Sequence, residues 1–263
     1  MLKKLLKYDL ESVYKVLSVF YILSILVAIL TRIFFSFENS TMLNIIAQIL
    51  NGTTIAMMVN ILINNLMRVW VRFKQNLYGD ESYLTHTLPI SKKTIYLSKF
   101  LTSIITMTTS IIVIGITIFI AYYSEENLLM LKTLLQPIAN MYDVNIISFL
   151  IMILLIFGIE LIATIQSGYT GLILGHRKNS NKLMYSIAIG IATYSIIQVT
   201  GVTVMFIAGI FNPDIMDLFM TNNIDNFTLF KDLMYLSIVI YAGAIIVNYF
   251  INTKLFEKGV NVD

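Results

Sequence analysis

Glu160 is the one carboxylate set deep inside a long apolar run, and Thr164, Ser167 and Gly171 follow it at i+4, i+7 and i+11, on one face of a helix. If that run crosses a bilayer, an ionised acid at its centre costs about 2.5–3.5 kcal/mol on insertion scales, so it must be protonated or partnered. Two roles fit: lining a translocation path that binds cationic substrate, or a hydrogen-bonded tie between helices. Ala163, Ser167, Gly171 and Gly175 repeat every four residues on nearly the same face, a small-residue ladder that lets helices approach closely. Asn44, Gln48 and Asn51 form a second polar series inside another apolar run, with Asn60 and Asn64 opposite. Pore lining and interhelical hydrogen bonding are both open for it. A third run, with Thr193, Ser195, Gln198, Thr200 and Thr203, admits the same two readings.

Other chemistry is missing. There is no cysteine, hence no disulfide, thiolate metal site or Cys nucleophile. No G-x-x-x-x-G-K-[ST] loop occurs, so the chain cannot hydrolyse ATP through a P-loop, and no H-E-x-x-H occurs. His86 and His176, the two histidines, fall in separate loops and cannot by themselves make a zinc site. Glu125-Glu126 invites comparison with intramembrane proteases that use paired glutamates, but no arginine follows at the needed spacing and no histidine lies in an apolar run. Solvated loop charge accounts for that pair. We expect no catalytic residue, no metal and no cofactor bound by this chain, and no nucleic-acid partner.

The elements that must position these residues follow from composition. Of 263 residues 57% are hydrophobic and 13% charged, with mean hydropathy +0.81; a soluble domain averages about 25% charged residues. The expected fold is an all-α integral membrane protein, one transmembrane domain over 1–263. Its six spans fall near 16–36, 43–66, 101–122, 146–172, 183–211 and 232–253, each long enough for a ~30 Å hydrocarbon core. Pro89, Pro137 and Pro213 fall between them. Fifteen of the eighteen Lys and Arg residues lie in the N-terminus, the 67–100 and 173–182 loops and the C-terminal tail; the exceptions are Arg32, Lys132 and Lys231. By the positive-inside rule both termini are cytoplasmic and the chain is a multi-pass protein of the cell membrane. The opposite side carries Glu38, Glu125, Glu126, Asp143, Asp214, Asp217 and Asp225.

Residues 1–15 are expected to be an amphipathic helix in the inner interface, not a cleaved signal peptide: Leu2, Leu5, Leu6, Leu10 and Val13 recur at helical spacing, and Lys3, Lys4, Lys7, Glu11 and Lys15 lie mostly opposite. The LLMLKTLLQPI stretch within 123–145 is a second candidate interfacial helix, on the outer side, and 212–231 is acidic and Asn-rich. No internal or inverted repeat is visible.

Between the second and third runs stands GDESYLTHTLPIS, residues 79–91. Arg68, Trp70, Arg72 and Lys74 anchor its entry. Gly79 permits a turn, Asp80, Glu81 or Ser82 can cap a short helix through Thr87, Leu88-Pro89 stops it, and Ser91 is placed to cap the next helix. A merely solvated loop is the alternative to a docked helix. The stretch from Arg68 to Lys99, between the second and third of six spans, resembles the type-2 ABC exporter permeases, above all the smaller bacterial members that export drugs, antimicrobial peptides or peptide toxins. The amphipathic N-terminus is similar to that family's connecting helix. The resemblance implies that the loop is a coupling helix seated on a separate nucleotide-binding subunit, which would carry ATP and magnesium. Gly79, Asp80, Glu81, Tyr83 and Leu84 would make the contact, and Leu88 and Pro89 would fix its exit. It implies two permease subunits, identical or different, with two ATPase subunits. The segment before the sixth span departs from the family pattern, being short and without an apolar re-entrant helix. A non-transporting immunity or sensor protein and a membrane-embedded enzyme stay open as other classes.

Overall fold

The computed structural model describes residues 1–37, 40–212, 215–216 and 228–258, with side chains in the last segment from 231. Glu38, Pro213, Asp214, Asp217 and Asp225 lie outside the described residues. Helices run α1 (Leu2–Phe35), α2 (Thr41–Leu77), α3 (Ser82–Thr87), α4 (Lys92–Tyr122), α5 (Glu125–Met141), α6 (Ile146–Gly175), α7 (Lys182–Phe211) and α8 (Thr228–Glu257), and no strand occurs among the described residues. Six of these, α1, α2, α4, α6, α7 and most of α8, are long and apolar enough to cross a membrane. A helix keeps every backbone hydrogen bond within itself, which is what an apolar surrounding demands.

At 1.5 Å per residue the 34-residue α1 and 37-residue α2 are roughly 51 and 55 Å long, against a core of ~30 Å. The excess of α2 carries Arg68, Arg72 and Lys74. The interfacial helix expected at 1–15 and the span expected from 16 lie in one continuous helix, α1. No Pro or Gly interrupts it, and Asp9, Val13, Leu17, Tyr21, Ser24, Ala28 and Thr31 form one buried stripe through both halves. Pro89 lies between α3 and α4, whereas Pro137 sits inside α5.

The chain packs as two compact units, one built on Met1–Leu128 and the other beginning at Leu129. In the first, α1 packs on α2 and α4, α2 on α4, and α3 on the end of α2. Its interior is laced with hydroxyls. Tyr21 OH bonds Ser110 Oγ at 2.8 Å, Thr31 Oγ1 bonds Thr54 Oγ1 at 2.8 Å, and Ser24 Oγ bonds Thr117 Oγ1 at 3.1 Å. Asn65, fully buried on α2, donates to Ser110 Oγ at 2.6 Å and accepts from Thr106 Oγ1 at 3.2 Å. Each such interhelical bond contributes about 0.6 kcal/mol in membrane proteins, so they set register more than strength. Arg32 closes the far end, donating to the carbonyls of Ile120 and Tyr123 that end α4 without intrahelical partners.

In the second unit α6 packs on α7 and α8, and α7 on α8. The glycines of the small-residue ladder set the first contact. A Cβ on Gly171 would lie 2.3 Å from the Ser186 carbonyl oxygen, and one on Gly175 2.5 Å from the Ser186 backbone nitrogen, so only glycine allows this approach. Beside it, α6 meets α8 through a buried polar cluster: Thr170 Oγ1 donates to Asn252 Oδ1 at 2.8 Å, and Asn252 Nδ2 to the Gln166 carbonyl at 3.3 Å. The Gln166 amide group and Asn248 Nδ2 are buried there without a partner. Lys231 Nζ approaches Asp143 Oδ2 at 3.9 Å, joining α8 to the turn before α6. α5 buries only Ala139 of its seventeen residues.

Candidate functional site

Two places gather the residues that could do work, one in each unit. The first is built on the basic end of α2. Asp9, only 4% exposed, accepts from Lys99 Nζ at 2.5 Å and from Ser98 Oγ at 2.9 Å, and lies 3.6 Å from Arg72 Nε. Arg72 Nη1 then reaches both carboxylate oxygens of Glu81, at 2.7 and 2.9 Å, and Asn76 Nδ2 donates to Glu81 Oε2 at 3.0 Å. Two acids and two bases thus tie α1, α2, the start of α3 and α4. A buried pair of this kind adds little net stability, but removing one partner leaves an uncompensated charge. Burial alone would raise the Glu81 carboxyl; the Asn76 hydrogen bond and the Arg72 charge outweigh it and hold Glu81 below the usual carboxylate range. Phe73 of α2 packs edge-on against Tyr96 of α4.

This anchoring fixes which way α3 faces. Ser82 and Thr85 are buried, Thr85 Oγ1 donates to the Glu81 carbonyl, and the His86 ring nitrogen Nε2 lies 3.1 Å from the Leu77 carbonyl. Tyr83 and Leu84, 75% and 68% exposed, point away, and Asp80, Leu88 and Pro89 are exposed with them. Gly79 fits because its Cα stands against Gln75, where a Cβ would come within 3.2 Å of backbone atoms. α3 ends at Thr87, ahead of Leu88-Pro89, and Ser91 caps α4, its Oγ accepting from the Thr94 backbone N–H. Glu81 occupies the cap position of α3, but its side chain makes no cap bond and is spent on Arg72 and Asn76.

The second place is a cleft of about 560 Å³ between α6, α7 and α8. Glu160 stands in its wall, and its Oε1 accepts from Tyr194 OH at 2.6 Å and Gln198 Nε2 at 2.7 Å. Gln198 Oε1 in turn accepts from Tyr241 OH. Thr164 and Ser167 do not join Glu160 there. Each hydroxyl donates to the carbonyl one turn back, Thr164 to Glu160 and Ser167 to Ala163, as Ser and Thr in helices commonly do. On α2, Asn51 Oδ1 accepts from Tyr122 OH at 2.5 Å, while Asn44 and Gln48 are exposed.

Tyr194, Tyr241, Asp9, Arg72 as an internal partner and Asn65 were missed in the sequence. One signal was available for the tyrosines: an intramembrane acid needs donors at its own depth, and Tyr194 and Gln198 stand at i and i+4 in the next span. Among the described residues no three His, Cys, Asp or Glu side chains gather as a metal site would require. Comparison with protein-family models, with curated proteins and with solved structures finds no match.

Proposed function

We propose that this chain is the membrane-spanning permease subunit of an ATP-driven exporter of the type-2 ABC class, moving an amphipathic peptide, toxin, drug or lipid-like substrate outward. In this reading the six apolar helices span the cell membrane, both termini and α3 are cytoplasmic, and the chain works as a homodimer or heterodimer. A separate ATPase subunit docks on α3. One observation carries it: a short helix outside the apolar runs turns an aromatic and a leucine, Tyr83 and Leu84, fully outward while an ion-paired network holds its base rigid. An exposed apolar pair on a rigid mount is what a protein groove receives, with tyrosine the sort of residue that carries binding energy. The contact then belongs to Asp80, Tyr83, Leu84, Leu88 and Pro89, and Glu81 serves as the mount. Closure of the ATPase pair would pull on α3, and the Glu81–Arg72–Asp9–Lys99 chain would pass the pull to α1, α2 and α4.

The test is purification of the tagged chain from its native membranes with Mg-ATP hydrolysis as readout. We expect an ATPase subunit to co-purify, and Tyr83→Asp with Leu84→Asp to remove it while the chain stays monodisperse with an unchanged unfolding temperature. An ATPase retained by that double variant, or none found with the unaltered chain, sinks the proposal.

A further inference from the structure

The geometry points to a lipophilic monocation as occupant of the α6–α7–α8 cleft: a molecule with one ammonium-like charge on a hydrophobic body. The volume, about 560 Å³, lies within the roughly 300–1,000 Å³ of small-molecule sites. The walls are apolar, with Ile153, Phe157, Val202 and Ile240 among them, and Met205 and Met234 supply flexible thioethers that adapt to varied shapes. Among the described residues of the lining, Glu160 is the one charged side chain. No Lys or Arg occurs in the sequence between Lys182 and Lys231, so neither α7 beyond its first residue nor the segment leading to α8 can supply a counter-charge.

The partners of Glu160 are neutral. Tyr194 and Gln198 both donate to Oε1, and Gln198 is held in turn by Tyr241. A shell of donors suits an ionised carboxylate, which only accepts. It aims the group and leaves its charge uncompensated. Asp9 in the same chain is treated differently, with Lys99 beside it. A ligand that brings its own positive charge completes the Glu160 site, and aromatic residues of the lining, Phe157, Tyr194 and Tyr241, are of the kind that attract a cation. Its role as cargo rests on the exporter reading; its binding does not.

The experiment is equilibrium dialysis of the purified full chain in detergent, with tetraphenylphosphonium as cationic probe and triphenylphosphine oxide as neutral comparator. We expect saturable binding of the cation, about tenfold tighter than the neutral compound. Glu160→Gln should abolish that preference by weakening the cation about tenfold and leaving the neutral compound unchanged. Glu160→Asp keeps the charge and should keep the preference, and Ser237→Phe, which fills the cleft, should remove binding of both. No saturable binding by the unaltered chain means the cleft is filled by lipid or a second copy and overturns the proposal. Equal affinity for the two probes, or full cation affinity in Glu160→Gln, overturns it as well. If Glu160→Gln does not fold, the comparison of the two probes on the unaltered chain and on Ser237→Phe decides. No ATPase takes part, so failure here leaves the docking reading of α3 standing, and loss of ATPase association leaves this one standing.

Discussion

The two units treat their charges in opposite ways. In the α1–α2–α4 unit every charge in the network has a counter-charge: Asp9 has Lys99, and Glu81 has Arg72. In the α6–α7–α8 unit the carboxylate of Glu160 meets neutral groups, with Tyr194 OH and Gln198 Nε2 donating to it and no Lys or Arg among the described residues of the cleft lining. Compensated charge fixes geometry, since a closed set of ion pairs admits few alternatives. Uncompensated polar groups cost free energy until something satisfies them. On the readings proposed above, the first unit acts as a mount and the second as a receiver.

The packing differs in the same sense, and the largest expected effect tests it. The second unit relies on backbone contact at Gly171 and Gly175, where a neighbouring helix leaves no room for a side chain. Gly171→Leu should cost more than about 3 kcal/mol, because the obstruction is backbone and cannot rotate away. The result would be loss of monodisperse protein and a fall in unfolding temperature. Gly52→Ala on α2, with nothing within 4 Å of the added Cβ, should change neither. If both glycines tolerate substitution equally, the tight α6–α7 contact is refuted.

A smaller effect separates the two acids directly. Lys99→Met should cost about 1–3 kcal/mol by leaving Asp9 only Ser98 and the more distant Arg72, and joint replacement with Asp9→Asn should recover most of it. Glu160→Gln keeps an acceptor for Tyr194 and Gln198 and should cost less than about 1 kcal/mol. Thermal unfolding of all four proteins in one detergent measures this. Equal costs for Lys99→Met and Glu160→Gln would erase the distinction between a compensated and an uncompensated site.

What was legible in the sequence is what local rules decide. All six apolar runs appear as helices because each exceeds the length a bilayer needs, and α3 appears because Gly79, Pro89 and Ser91 are local punctuation. The Asp9–Lys99 pair spans ninety residues, and in one dimension Lys99 was simply one more basic residue flanking a span. The Thr164–Ser167 face shows another limit. Periodicity reports where a side chain lies on the helix, not which partner its hydroxyl takes, and here both donate to their own backbone. The continuity of α1 was hidden because amphipathic and uniformly apolar segments look like different elements, although nothing between them stops a helix.

The smallest effect concerns the joint between the mount and α3. Glu81 has a folded-state pKa below its unfolded one, so the folded chain binds its proton less readily than the unfolded chain. The stability it contributes is therefore fully present above the ordinary glutamate range and is lost as pH falls through the lowered value. The side chain is 46% exposed, so solvent and salt screen the interaction to a few tenths of a kcal/mol. Hydrogen exchange of the Ser82–Thr87 amides, compared at each pH with Glu81→Gln, removes the intrinsic pH dependence of exchange. Protection should exceed that of the variant at neutral pH, and the two should converge on acidification or in about 1 M salt. Equal protection at neutral pH would mean that α3 is held by the burial of Ser82 and Thr85 and the His86–Leu77 contact, and that the ion-pair chain passes nothing to it.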